Sequence, residues 1–160
     1  MTKTNEAARA DHAGVIVLPP LLYVAGLAVA FAINLLVPLP MRFGPVGRVI
    51  GIALVLAAFM FAASARDTMT GAGTNVNPRE PTLALVTGGP FRFSRNPMYV
   101  AITAGFIGMG LAMSTWWAFI LLVPIAATMH WGVVRREERY LEAKFGEPYR
   151  EFRRRVRRYL

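Results

Sequence analysis

Four apolar stretches leave this chain few folds to choose from. They run from Gly14 to Val37, from about Val46 to Ala63, from Pro97 to Met113 and from Trp116 to Val134. A helix needs about 17–25 residues to cross a hydrocarbon layer about 30 Å thick, and each stretch reaches or approaches that length. None contains an internal acid, and Arg48, at the start of the second, can snorkel its guanidinium to the interface. Backbone polar groups in lipid must be satisfied within their own segment, which makes these stretches helices; the period-2 alternation of a membrane barrel is absent. The expected fold is an all-α integral membrane protein with about four transmembrane helices. Residues 1–160 form a single membrane domain: an N-terminal hairpin (1–64), a structured polar loop (65–96), and a second hairpin with C-terminal helices (97–160).

Composition narrows the class further. Charged residues make up 17% of the chain against a mean hydropathy of +0.42, whereas soluble domains carry about 25% charged residues. That disfavours a soluble enzyme and a disordered chain, and with no cysteine there is no disulfide, thiol nucleophile or thiolate metal site. The net charge of +9 is concentrated: Arg135 to Leu160 holds ten Lys+Arg and five Asp+Glu. The leader pairs Lys3 and Arg9 with Glu6 and Asp11, so it lacks the positive n-region of a cleaved signal peptide. The first stretch is therefore a retained span, kinked at Pro19-Pro20 or starting late. The polar loop and the basic tail share one side, and their positive excess makes that side, with both termini, cytoplasmic.

Polar groups collect at two places beside the spans. In Arg95-Asn96-Pro97-Met98-Tyr99, Asn before Pro reads as an N-cap with Pro at the first helical position. The same helix start, flanked by Arg92 and Arg95, also reads as an anion site. In Arg135-Arg136-Glu137-Glu138-Arg139-Tyr140, the fourth span continues out of the apolar layer as a helix. There Glu137 and Glu138 are either part of a solvated, ion-paired stalk or partly desolvated carboxylates that hold a cation or a ribose hydroxyl. Beyond Pro148, Tyr149, Phe152, Val156 and Leu160 fall on one helical face amid arginines. That pattern reads as a basic amphipathic helix on the anionic headgroups of a membrane, and the spans favour this over nucleic acid. His12 and His130 stand far apart without an acidic partner motif, so no metal site is expected. No dinucleotide fingerprint, P-loop or serine elbow is present.

Together, the two clusters resemble a known signature. Gly89-Pro90-Phe91-Arg92-Phe93-Ser94-Arg95-Asn96-Pro97-Met98-Tyr99 is similar to the Gly-Pro-Tyr/Phe-Arg-x-x-Arg-His/Asn-Pro-x-Tyr motif of integral-membrane methyltransferases. These are the isoprenylcysteine carboxyl methyltransferases, their bacterial relatives and the phospholipid N-methyltransferases. Glu137-Glu138, Leu141, Phe145-Gly146 and Tyr149 match the second half in order and spacing, so the resemblance covers about Thr74 to Val156. It differs from the eukaryotic carboxyl methyltransferases in carrying Asn96 where they have His. Only two spans precede the loop, which argues against prenylcysteine as substrate.

The resemblance implies an S-adenosylmethionine-dependent methyltransferase of a bacterial inner membrane, acting on a lipophilic acceptor that reaches the cofactor from within the bilayer. By the same resemblance, Arg95, Asn96, Pro97, Tyr99, Glu137, Glu138 and Tyr149 line the cofactor, and Thr87, Gly88 and Gly89 approach it with backbone. Arg92 and Arg95 are candidates to orient an anionic acceptor, and Glu138 is the candidate base for an amine, with carboxylate, amine and thiol acceptors all open. An NADPH-dependent membrane lipid reductase and a non-catalytic membrane scaffold are the alternatives.

Overall fold

The computed structural model describes residues 12–160; the leader charges Lys3, Glu6, Arg9 and Asp11 lie outside them. The described chain is helical, with a single isolated β-bridge between Pro40 and Thr115. Helix α1 spans Pro19–Leu36 and α2 Gly44–Gly71; a short 3-10 turn, Gly89–Arg92, precedes α3, Pro97–Ala112. Helix α4, Trp116–Met129, runs through a π-helical segment, His130–Val134, into α5, Arg135–Phe145, and α6 spans Glu147–Arg155. Among the described residues, three helices are long and apolar enough to cross a membrane: α1, α2 and the continuous α4–α5 run. Helix α3, with 16 residues, reaches about 24 Å at 1.5 Å per residue, short of a full hydrocarbon layer. Many large apolar side chains on α1 and α2 face outward, among them Leu21, Phe31, Ile52 and Met60, as lipid-facing helices require.

Local chemistry sets the helix ends. The first span starts late: Pro19 and Pro20 occupy the first turn of α1, where a missing N–H costs nothing. Helix α2 runs past Ala63 to Gly71, beyond the expected loop start at Ala65, because nothing in Ser64–Thr70 breaks a helix. Ala65 is fully buried there in a cluster with Phe91, Tyr149 and Phe152.

Helices α2 and α3 make the most extensive packing, and they touch backbone to backbone. A Cβ on Gly51 would collide with the Gly108 carbonyl and the Ala112 amide, and one on Gly108 would lie 2.7 Å from the Gly51 carbonyl oxygen. Small residues at such a crossing let two apolar helices approach closely. Helix α1 leans instead on α4 and α3, through Tyr23, Ala30, Phe106, Ala118 and Ile125. The turns at 37–43 and 113–115 meet at one end, where Met41 N–H donates to the Ser114 carbonyl and Trp116 N–H to the Leu39 carbonyl. The polar loop, α5 and α6 gather at the other.

Two expectations are corrected here. Asn96 flanks α3 but does not cap it with its side chain; its amide is drawn away to the Arg158 carbonyl, 3.0 Å distant. The C-terminal amphipathic helix ends at Arg155, with extended backbone at Val156, so Leu160 is not on its face. Its apolar residues Tyr149 and Phe152 are buried against α2 and the 3-10 turn, because those surfaces offer apolar partners closer than lipid.

Candidate functional site

A cavity of about 760 Å³ opens between α1, α2 and α3. Its walls are Tyr23, Val24 and Leu27 of α1 and Val55, Ala58 and Phe59 of α2, over a floor of α3. On α3 it follows residues from Pro97 to Met109, about 18 Å along the helix axis. Val24 and Phe59, at its sides, are strongly exposed, so the cavity opens laterally between α1 and α2, on surface that lipid would cover. The walls are almost wholly apolar, and the polar groups converge at one end: Arg95, Asn96, Tyr99 and Glu137. A smaller recess of about 50 Å³ under the loop, lined by Thr74, Asn75 and Thr82, shares Arg95, Glu137 and Asn77 with it.

Local structure explains this convergence. The 3-10 turn carries Phe91 into the core beside α6, which brings Ser94 and Arg95 up against the segment after α6. Pro97 starts α3 and places Tyr99 in its first turn. The π-helical segment between α4 and α5 sets the rotational phase of the helix that follows it; such single π turns recur at functional sites. As a result Glu137 and Glu138, adjacent in sequence, have different partners. Glu137 faces the cavity and accepts from the Tyr99 hydroxyl at 2.6 Å. Glu138, with a side chain 10% exposed, lies behind it between two arginines: Arg95 Nη2 at 3.1 Å and Arg158 Nη2 at 2.8 Å. Arg158 Nε also reaches both of its oxygens, at 3.1 and 3.0 Å, and these bonds hold the Arg158 guanidinium protonated more firmly than usual.

Three buried polar atoms next to this end have no partner: Nε and Nη1 of Arg95 and the Tyr149 hydroxyl. Tyr149 lies beside Arg95, close enough to feel both its charge and its N–H groups, although the contact falls short of strict hydrogen-bond geometry. Burial pushes the Tyr149 hydroxyl up to about 12, with Glu138 adding to the rise and Arg95 opposing it.

Of the residues expected at the site, the structure brings Arg95, Asn96, Pro97, Tyr99 and Glu137 to the cavity wall. Glu138 and Tyr149 stand just behind it. Thr87 and Gly89 are exposed and Gly88 is half-buried; these three and Arg92, itself exposed, do not line the cavity. Gly89 serves local packing instead: its φ is +54°, and a Cβ there would lie 2.7 Å from the Thr68 hydroxyl. Sequence reasoning missed Arg158 and Ser94, which hold the site together, and the loop residues Asn77 and Val76 on its wall. No periodicity flags them. Among the described residues no group of His, Asp and Glu is arranged to hold a metal ion.

Comparison with known proteins identifies a family. Residues 46–148 match the phospholipid methyltransferase family, a range that contains all but the first two residues of α2, the loop, both arms of the second hairpin and the start of α6. The chain is 35% identical over 72 residues to the cobalt-zinc-cadmium resistance protein CzcN of Cupriavidus metallidurans, an overlap of 45% of this chain and 33% of that protein. It thus spans about a third of that relative's length. No solved structure matches the chain. With the family match extending from the α2–α3 packing through the paired glutamates to Pro148, this chain belongs to the phospholipid methyltransferase family.

Proposed function

We propose that the protein is an S-adenosylmethionine-dependent methyltransferase that modifies a lipophilic acceptor drawn from the membrane. The observation that carries this reading is the laterally open apolar cavity ending on Arg95, Tyr99 and Glu137. The residues present fit the cofactor. The two partnerless N–H groups of Arg95 suit its carboxylate, and Glu137 suits its amino group or a ribose hydroxyl. When bound, the cofactor supplies an electrophilic methyl group on a sulfonium sulfur.

The chain's own residues then have three tasks. The apolar walls exclude water and hold the acceptor's tail, so that its polar head meets the site in a fixed orientation. Arg95 orients an anionic group. Glu137, and not Glu138, is the carboxylate placed to take the proton that an amine acceptor releases, since both oxygens of Glu138 are held by arginine. A carboxylate or thiolate acceptor needs no such base. The exposed arginines of α6, among them Arg154 and Arg155, face anionic headgroups on the cytoplasmic side of a bacterial inner membrane, the side that also holds both termini.

The test is methyl transfer from labelled S-adenosylmethionine to the host's lipid extract by the detergent-solubilised chain, with calorimetry of S-adenosylhomocysteine binding. Labelled lipid and saturable binding are expected. Absence of both overturns the function.

A further inference from the structure

Arg158 lies in a run of arginines that looks like surface charge in the sequence. In the structure the chain turns extended at Val156 and passes back over the start of α3. Arg95 N–H donates to the Arg157 carbonyl at 2.9 Å. The Ser94 hydroxyl and the Asn96 amide both donate to the Arg158 carbonyl, at 3.2 and 3.0 Å. A fourth contact, between His130 Nδ1 and the Tyr159 hydroxyl at 2.8 Å, ties the next residue to the π-helical segment. The Arg158 backbone is thus pinned, and its guanidinium is delivered to Glu138, where Nε and Nη2 engage both carboxylate oxygens.

This arrangement decides how Arg95 is used. A buried guanidinium with a carboxylate to itself tends to pair with it through two nitrogens. Arg95 reaches Glu138 through Nη2 alone, and its Nε and Nη1 have no partner, although the side chain is 7% exposed. Two arginines share one carboxylate, and Arg158 takes the larger share of it. Glu137, the other carboxylate nearby, is bonded to Tyr99. The unpaired N–H groups therefore sit on the guanidinium that lines both the large cavity and the recess beneath the loop.

We propose that Arg158 is a positioning residue: by holding both oxygens of Glu138 it keeps Nε and Nη1 of Arg95 out of that ion pair, so that either can donate to an oxyanion, a carboxylate or a phosphate, of a ligand in the cavity. Applied to the carboxylate of S-adenosylmethionine, the proposal rests on the methyltransferase function above. Applied to oxyanion recognition as such, it rests on the side-chain geometry alone.

The experiment uses the full chain in detergent as wild type, Arg158→Met, Arg158→Lys and the double variant Arg158→Met/Glu138→Gln. Two quantities are read: S-adenosylhomocysteine affinity, and the rise in thermal midpoint produced by inorganic phosphate. In Arg158→Met the Glu138 carboxylate becomes free to take Arg95 through two nitrogens. Affinity should fall about 10- to 100-fold, as for one charge-assisted hydrogen bond, and the phosphate-induced rise should shrink with it. Arg158→Lys, which keeps the charge but holds one oxygen at a time, should lose less. The double variant should recover most of the loss, because a neutral amide no longer captures Arg95. A merely structural role makes the opposite forecast, since the double variant deletes both partners of the contact. Wild-type behaviour in Arg158→Met, or a double variant no better than the single one, overturns the proposal. If Arg158→Met does not fold, an unchanged Arg158→Lys overturns it instead. If wild type ignores S-adenosylhomocysteine yet loses its phosphate response on Arg158→Met, the cofactor assignment fails and this proposal stands. A wild type that responds to neither probe overturns both.

Discussion

The hydroxyl of Tyr99 donates to Glu137 Oε2 across 2.6 Å, joining the first turn of α3 to the first turn of α5. This bond links two sequence clusters separated by an entire helical hairpin and closes the polar end of the cavity. Removing the hydroxyl in Tyr99→Phe deletes one hydrogen bond to a charged group, about 1.5–3 kcal/mol, so methyl transfer should fall about 10- to 100-fold. Glu137→Gln should cost more with an amine acceptor, about 100-fold or beyond, because the proton acceptor is lost. Steady-state rates with labelled cofactor measure both, and a Glu137→Gln variant of full activity would remove Glu137 from the reaction.

Asn96 tests a different kind of role. Its amide serves the Arg158 carbonyl, which also accepts from Ser94, so Asn96→Ala loses a neutral hydrogen bond worth about 1 kcal/mol. Cofactor affinity should drop only about fivefold. A drop of several hundredfold would make Asn96 a direct ligand.

Phe152 reports on where the apolar face of α6 lies. It is buried with Ala65, Phe91 and Tyr149, so Phe152→Ala should destabilise the protein by about 3–5 kcal/mol. The loss should appear as a lower thermal midpoint in plain detergent and be the same with or without anionic lipid. A loss confined to anionic vesicles would return Phe152 to the membrane surface.

The α2–α3 crossing gives a further stability test. Gly108→Val places side-chain atoms against the Gly51 carbonyl, which is backbone and cannot move aside. The helices must separate, at about 1–3 kcal/mol for overpacking. Gly71→Ala, where a Cβ meets nothing within 4 Å, is the control and should leave the midpoint unchanged.

Alkaline pH tests the burial of Tyr149. Its folded-state value, about 12, lies above the ordinary 10.0, so the folded protein holds that proton more tightly than the unfolded chain does. The resulting stability is complete below pH 10 and is lost as pH rises through 12. Tyr149→Phe should therefore resist unfolding between pH 10 and 12 better than wild type. Identical alkaline transitions would place the hydroxyl in solvent.

Adjacent residues show where sequence reading stops. That Glu137 and Glu138 are candidates for the site follows in the sequence from the resemblance to the methyltransferase signature. Which of them faces the cavity does not, because neighbouring residues on a helix point about 100° apart and the phase is set upstream. Here it is set by five π-helical residues, His130–Val134, which carry no distinctive composition. Gly88 and Gly89 mislead in the opposite direction: a glycine pair beside a motif suggests a ligand approach, whereas Gly89 turns the chain against Thr68.

The sequence by itself determined the helical class, the polar loop and part of the candidate site, Arg95, Tyr99 and Glu137 among it, and it reduced the first span to a kink or a late start at Pro19-Pro20. Those properties follow from hydropathy, backbone satisfaction in lipid and proline geometry, all of which act over a few turns of chain. Only the tertiary structure decided that the apolar face of α6 is internal, that Glu138 is an anchor while Glu137 meets the cavity, and that Arg158 returns across some sixty residues to sit beside Arg95. These depend on which surfaces reach each other first and on how one buried carboxylate divides two guanidinium groups. Such competition is settled in three dimensions and leaves no periodic trace in the order of residues.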